Sequence, residues 1–505
     1  MGIVKNQSIK NSLFFYIGIS FGAFSTIILY PNAFNVHPEH LGLLQIIVAY
    51  STMISAFSLL GTPKTLIRFF PRVKNKNQLI SLSFLIPIIG FLFVLLLYFL
   101  FKESFLEFIK PNTVELDELK TFALLKMNFH LVFFLVVFIS FFEVLSSLSY
   151  SILDTTFPIF LKEVFLKGMN VMLLFLHWFN YLDFTTFLNL YIALYLVMII
   201  FISVSIFRKY TYRLTFNFNE IQSKELLVYG LYVLTGGASA ILVSKVDMVM
   251  IGKLIGYKEV AFYTVAFFIG NVVRVPARAI GSICMPLVAS AWGKDDLAAI
   301  KDIYVKSAIN QLIFGGLIFL GIWLNVDDAL SLLPEKFQGG RLVVFFIAFS
   351  QLFNVATGVN GLIIANSKYF RFDLYSNFML LCITLFTNFI FIPSSSPLAA
   401  YDIVGINGAA FATALSVFFF NIIKMIFLYW RVGIQPFTIR TLFTIALLTV
   451  IYYFSLYIPV SENVYINLLW RSFYILLLFL PAMYLMNLSK DINLAIEEFA
   501  RKIIK

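Results

Sequence analysis

The chain has 505 residues, of which 61% are hydrophobic and only 12% charged, at a mean hydropathy of +0.92. That balance excludes a soluble globular protein. The formal net charge of +11 reads as membrane topology and attraction to anionic headgroups, and it does not call for nucleic acid.

Fourteen apolar stretches of about 20 residues follow one another. They lie near 12–30, 41–61, 79–101, 122–145, 157–179, 185–207, 226–255, 259–284, 307–325, 341–365, 373–393, 404–429, 441–458 and 467–487. A stretch of that length just crosses the hydrocarbon core as a helix, because every backbone polar group must be satisfied inside the segment. The expected fold is an all-α polytopic membrane protein of about 14 transmembrane helices. The first stretch lacks a small-x-small cleavage site and reads as a retained helix. Cys284 and Cys382 lie inside stretches and read as small core residues.

The loops set orientation. The second stretch is followed by Lys64, Arg68, Arg72, Lys74 and Lys76, and the sixth by Arg208, Lys209, Arg213 and Lys224. The tail adds Lys490, Arg501, Lys502 and Lys505, whereas the segment from Lys102 to Thr121 is acidic, with Glu103, Glu107, Glu115, Asp117 and Glu118. Lys and Arg mark cytoplasmic segments, so both termini are expected inside. The expected organisation is an N-terminal lobe over 1–207, an inter-lobe loop over 208–225, a C-terminal lobe over 226–430, and two extra helices with a tail over 431–505. An even helix count per repeat would relate two six-helix lobes by a pseudo-two-fold along the membrane normal.

Charges at membrane depth are tolerated only when they face protein or water, so they are the informative residues. In span four, Ser140, Glu143, Ser147, Tyr150 and Asp154 fall on one helical face. Glu143 suits either proton coupling or a structural pair with a basic residue. Glu163 and Lys167 form an i, i+4 pair and do not read as a site. Asp247 and Lys245 are expected in the outer half, at a gate, a cation site or the interface. Gly236 and Gly237 in the same span permit a bend or a close approach. In span eight, Asn271, Arg274, Arg278 and Ser282 share a face around Pro276. Two guanidiniums four residues apart can grip a pyrophosphate bidentately, or they can snorkel or pair with acids. Gln351 and Asn354 in span ten, with Asn377 and Asn388 in span eleven, suit either glycan contact or gluing of helices.

Longer patterns carry a resemblance. They are LGTPKTLIRFFPRV (Leu60 to Val73), KVDMVMIGKLIG (Lys245 to Gly256), VAFYTVAFFIGNVVRVPARAIGSICMPLVASAW (Val260 to Trp292) and GINGAAFATALS (Gly405 to Ser416). With the span count, the chain resembles the polysaccharide-transporter (Wzx-type, O-antigen) flippases of the multidrug/oligosaccharidyl-lipid/polysaccharide (MOP) superfamily. The resemblance implies two six-helix lobes around a central cavity. That cavity would move an undecaprenyl-pyrophosphate-linked oligosaccharide to the outer leaflet of the inner membrane, as a monomer, alongside membrane lipids and polysaccharide-assembly proteins. Arg274 and Arg278 would hold the pyrophosphate, Glu143 and Asp247 would supply coupling or counter-charge, and the amides with Asn271 would meet the glycan. A lipid-linked peptidoglycan-precursor flippase is the nearest alternative, ahead of a multidrug extruder. No nucleotide-binding G-x-x-x-x-G-K-[ST] pattern and no metal-ligand spacing occurs, so neither cofactor nor metal is expected. The outer loops are too short to favour a glycan polymerase or glycosyltransferase, and the chain is not expected to be an enzyme.

Overall fold

A computed structural model describes residues 2–113, 115–215, 223–459 and 461–503. Part of the expected inter-lobe loop, and Lys505 of the tail, lie outside these. Eleven of the described helices are long and apolar enough to cross a membrane, or twelve with one bent pair counted as a span. Two expected spans fall short of that measure. The segment Thr156–Trp178 carries Lys162, Glu163 and Lys167, and the helix Ile439–Ser455 has only 17 residues.

The chain forms two compact units, Met1–Thr264 and Val265–Lys505. The first holds α1 (Gly2–Ala23), α2 (Pro38–Leu59), α3 (Thr62–Phe69), α4 (Lys76–Leu100), α5 (Lys102–Ile109) and α6 (Leu116–Met127). It continues with α7 (His130–Ser151), α8 (Leu166–Trp178), α9 (Phe184–Lys209) and α10 (Ser223–Leu254). The next helix, α11 (Tyr257–Asn271), carries the boundary between the units. The second unit adds α12 (Val275–Gly293), α13 (Leu297–Leu324), α14 (Arg341–Ala356), α15 (Asn360–Asn366), α16 (Phe370–Phe391) and α17 (Gly405–Val432). Last come α18 (Ile439–Ser455), α19 (Val464–Leu485) and α20 (Lys490–Ile503).

In the first unit α2 is the central helix, packed by α4, α7 and α10. Lipid tails are as apolar as leucine, so helices in a membrane associate through close packing of small residues. Gly42, Ser51, Ser55 and Ser58 are accordingly buried along α2. At Gly42 the backbone of Tyr257 comes so close that a Cβ would run into its carbonyl, and Gly90 of α4 meets the Ser58 carbonyl in the same way. Helix α10 packs on α2 and α3 and belongs to this unit. It is continuous through Gly236 and Gly237, and nothing lies within 4 Å of where a Gly237 Cβ would be. No close approach is made at Gly237.

The fourth expected span, 122–145, is two helices. Chain turns at Asn128, whose side-chain amide donates to the Leu124 carbonyl (3.0 Å) and closes α6. The apolar helix that follows is α7, shifted toward the C-terminus. Spans one and five each contain a π-helical turn, Phe24–Leu29 and Phe160–Phe165.

In the second unit α17 packs against α14 and α16, and α13 against α12 and α14. Helices α18 and α19 lie on α13 through Ile309, Ile313, Leu320, Leu448, Ile451, Ile475 and Phe479. Span ten bends by 51° between α14 and α15, at Gly358, whose φ of +65° is open to glycine at no steric cost.

Candidate functional site

Pro276 decides the shape of span eight. Without an N–H it cannot bond the Val272 carbonyl four residues back. The Val275 N–H takes that carbonyl instead, and Val272–Arg274 tightens into a 3₁₀ turn. Span eight is therefore α11, the turn, then α12, with Pro276 at the start of α12. The carbonyl that the proline leaves without its usual partner is thus reclaimed locally. Arg274 ends the turn and Arg278 lies in the first part of α12; both are exposed, Asn271 is half-buried before the turn, and Ser282 is exposed further along. Among the described residues of its own unit, neither guanidinium has an ion-pair or hydrogen-bond partner.

Glu143 of α7 pairs with Lys162 of the π-turn in span five, Oε1 to Nζ at 2.8 Å. Its expected neighbour on the same face, Asp154, is off the helix. Helix α7 ends at Ser151 and Leu153 turns left-handed (φ +64°), so Asp154 reaches Lys209 at the end of α9 (2.5 Å). Ser140 is buried and Ser147 donates to the Glu143 carbonyl. Glu163 and Lys167 do pair, at 2.6 Å, and Lys167 also donates to the Gly18 carbonyl of α1 (3.2 Å). Gly18 is needed there: a Cβ would stand 2.7 Å from Glu163 Oε2. Asp247 is buried and accepts from the Tyr263 hydroxyl (2.8 Å).

The amides of the second unit converge on a residue the sequence reading passed over. Asn421 of α17 accepts from the Thr357 hydroxyl (2.9 Å) and from Asn360 (3.1 Å), and donates to Asn354 (3.1 Å). Asn354 in turn donates to Gln351 (3.4 Å). These bonds straddle the bend between α14 and α15 and satisfy one another's side chains inside the bundle. Asn377 donates to the Asp373 carbonyl (2.8 Å), and Asn388 is fully buried.

One helical turn beyond Asn421, Lys424 pairs with Asp373 of α16 at 2.7 Å, and its ammonium lies 4.1 Å from the Phe420 ring centroid. Only 5% of the lysine side chain is exposed. The rule that intramembrane charges mark a site would have found both residues, since each lies in an expected span. A buried pair broken on one side leaves an uncompensated charge, at about 3–5 kcal/mol. Lys424→Met should therefore lower the unfolding midpoint in detergent strongly, and Asp373→Asn added to it should recover most of the loss. A single variant as stable as the parent would show that the pair is dispensable to the fold.

Fold and polar pattern together define the class, an all-helical multi-pass membrane protein. The coordinates resemble the lipid II flippase MurJ in an inward closed conformation at 13% identity and a TM-score of 0.74, covering 95% of this chain and 99% of that one. They also resemble a multidrug resistance MATE family transporter of the MOP superfamily, inward-facing, at 14% identity and a TM-score of 0.63, over 83% of this chain and 98% of that one. A MOP superfamily transporter from Pyrococcus furiosus follows at 13% identity and 0.56, over 85% and 96%. The chain belongs to the polysaccharide biosynthesis protein family, whose model matches residues 8–292, more than half its length; the MatE model matches residues 237–390. No curated protein sequence matches it.

Proposed function

We propose that the protein is a flippase that carries an undecaprenyl-pyrophosphate-linked oligosaccharide from the cytoplasmic to the outer leaflet of the inner membrane, for a surface polysaccharide such as O-antigen. The observation that carries this reading is the Arg274–Arg278 pair. In a chain of the polysaccharide biosynthesis family, two guanidiniums stand at a helix break without an acidic partner among the described residues of their own unit. Their planar forks suit a pyrophosphate. All fourteen stretches cross the membrane in this reading, with both termini cytoplasmic and lobes over 1–207 and 226–430. Asn271, Gln351, Asn354, Asn377 and Asn388 are its glycan-contact candidates, and Asp247 is a further counter-charge.

Transport then proceeds by rocking of the lobes about a midplane site. The substrate is anionic, and each unpaired charge crossing the membrane contributes about 2.3 kcal/mol per 100 mV. An inside-negative potential drives the loaded step outward. The empty return, with two uncompensated arginines, needs a counter-charge, for which we assign Glu143. Its present partner Lys162 is half exposed, at 56% against 35% for the glutamate, so neither side chain is enclosed in the core of the unit. Glu143→Gln should fold and yet flip slowly.

The test is flipping of a fluorescent undecaprenyl-pyrophosphate oligosaccharide in proteoliposomes under an imposed potential. Rates should rise with an inside-negative potential in the parent and fall strongly in Glu143→Gln. Equal rates in all arms would remove the charge-compensation step, and no flipping at all would remove the function. The peptidoglycan-precursor reading is favoured by one observation, that the likeness to MurJ extends over 95% of the chain. Lipid II offered in the same vesicles decides between the two cargoes.

A further inference from the structure

The acidic segment between spans three and four does more than sit in solvent. Glu118, in the first turn of α6, is only 3% exposed. Its carboxylate accepts from the backbone N–H groups of Tyr257 (2.6 Å) and Lys258 (2.9 Å), the first two residues of α11. It is thus a capping group supplied from far along the chain to donors that have no intrahelical partner. The contact demands a glycine before it. Gly256 has φ +151°, and a Cβ there would stand 2.7 Å from Glu118 Cδ.

The reciprocal contact comes from the end of α10. The Lys253 ammonium donates to the carbonyls of Glu107 (3.2 Å) and Lys110 (2.8 Å), at the C-terminal end of α5. A cation on terminal carbonyls is favoured by the helix dipole. The Lys253 carbonyl in turn accepts from the Asn112 N–H (2.9 Å). The α5–α6 hairpin and the turn from Lys253 to Lys258 therefore cap each other's helix ends, entirely within the first unit.

We propose that this reciprocal cap is a latch of the transport cycle, closed in the state described and released when the carrier changes state. The inference rests on the alternating-access reading above. Two features point to release and not to a permanent brace. First, the turn it holds leads directly into α11, the helix on which the boundary between the compact units falls. In the reading proposed above, α5 and α6 belong to the lobe over 1–207 and this turn to the lobe over 226–430, so rocking of those lobes pulls on the cap. Second, the central group is a carboxylate bonded to amides. Burial pushes the Glu118 carboxyl up, the Lys258 and Tyr257 amides pull it back, and Glu115 and Glu39 add to the rise. Opening restores its hydration, so the cost of losing two hydrogen bonds is offset. An apolar contact of similar area would have no such return.

The latch is tested by locking it. In a background with Cys284→Ala and Cys382→Ala, the pair Asn112→Cys and Leu254→Cys keeps Glu118, Lys253 and Gly256 intact. A short bis-methanethiosulfonate reagent should join the two thiols. Locking should slow deuterium uptake at the Tyr257 and Lys258 amides by roughly tenfold or more. It should also abolish flipping of the fluorescent undecaprenyl-pyrophosphate oligosaccharide until a reductant is added. The latch is overturned if the reagent does not join the pair, if uptake is the same locked and unlocked, or if the locked carrier flips at the parent rate. Should the unlocked parent fail to flip the probe, the function proposed above is what fails, and the uptake measurement still decides whether the contact opens.

Discussion

Arg274→Ala combined with Arg278→Ala should reduce flipping of the pyrophosphate-linked substrate to background while leaving the protein folded. Neither guanidinium bonds or pairs with another side chain among the described residues of its own unit, so little stability is tied to them. Charge-assisted hydrogen bonds contribute about 1.5–3 kcal/mol each, so each bond lost costs roughly 10- to 100-fold in substrate binding and losing both forks costs more. Lys at either position keeps the charge but not the planar fork, and an intermediate loss is expected. Binding is read by quenching of a labelled substrate, and transport in the same vesicles. A double variant that exports at the parent rate would place the pyrophosphate elsewhere.

How much of this was visible beforehand differs from element to element, for physical reasons. Apolar length located the helices, because the bilayer thickness sets it. It misplaced span four, since the residues from Phe122 to Ile139 are apolar apart from Lys126, Asn128 and His130, and the Asn128 cap that ends α6 leaves the apolar run almost intact. The π-turns at Phe24–Leu29 and Phe160–Phe165 had no visible signature, because a single wider turn leaves the apolar pattern intact. Pro276 was visible in span eight as a residue without an N–H, but the 3₁₀ turn in which Val275 takes the Val272 carbonyl was not.

Pairing was harder to read than placement. Glu163 with Lys167 followed from spacing, because i and i+4 are neighbours on any helix. Glu143 with Lys162 and Asp373 with Lys424 join different helices, and spacing says nothing about those. Glu118 was the least legible. In the sequence it is one of several acids in a loop, and only the fold shows that it caps the start of α11.

Gly408→Ala should be the most damaging small substitution in the second unit. The GINGAAFATALS segment presents Gly408, Ala409, Ala410, Ala412 and Ser416, all buried, at the start of α17. That small-residue face lets α17 approach α16 until the Gly405 N–H donates to the Ile392 carbonyl (2.9 Å) and Thr387 bonds Ser416 (3.1 Å). A Cβ on Gly408 would run into the backbone carbonyl of Phe391. The obstacle is backbone, so no rotamer change relieves it and the helices must separate. Overpacking of this kind costs about 1–3 kcal/mol, and backbone contact puts the expected value at the top of that range or beyond it. Gly42→Ala meets the Tyr257 carbonyl and should behave alike in the first unit. Gly237→Ala is the control: with nothing near its Cβ and helix on both sides, it should be neutral or gain up to about 1 kcal/mol from helix propensity. Unfolding midpoints of purified variants in one detergent give the comparison. If Gly408→Ala and Gly237→Ala melt together, α16 and α17 do not approach as closely as described, and the small-residue face has another purpose.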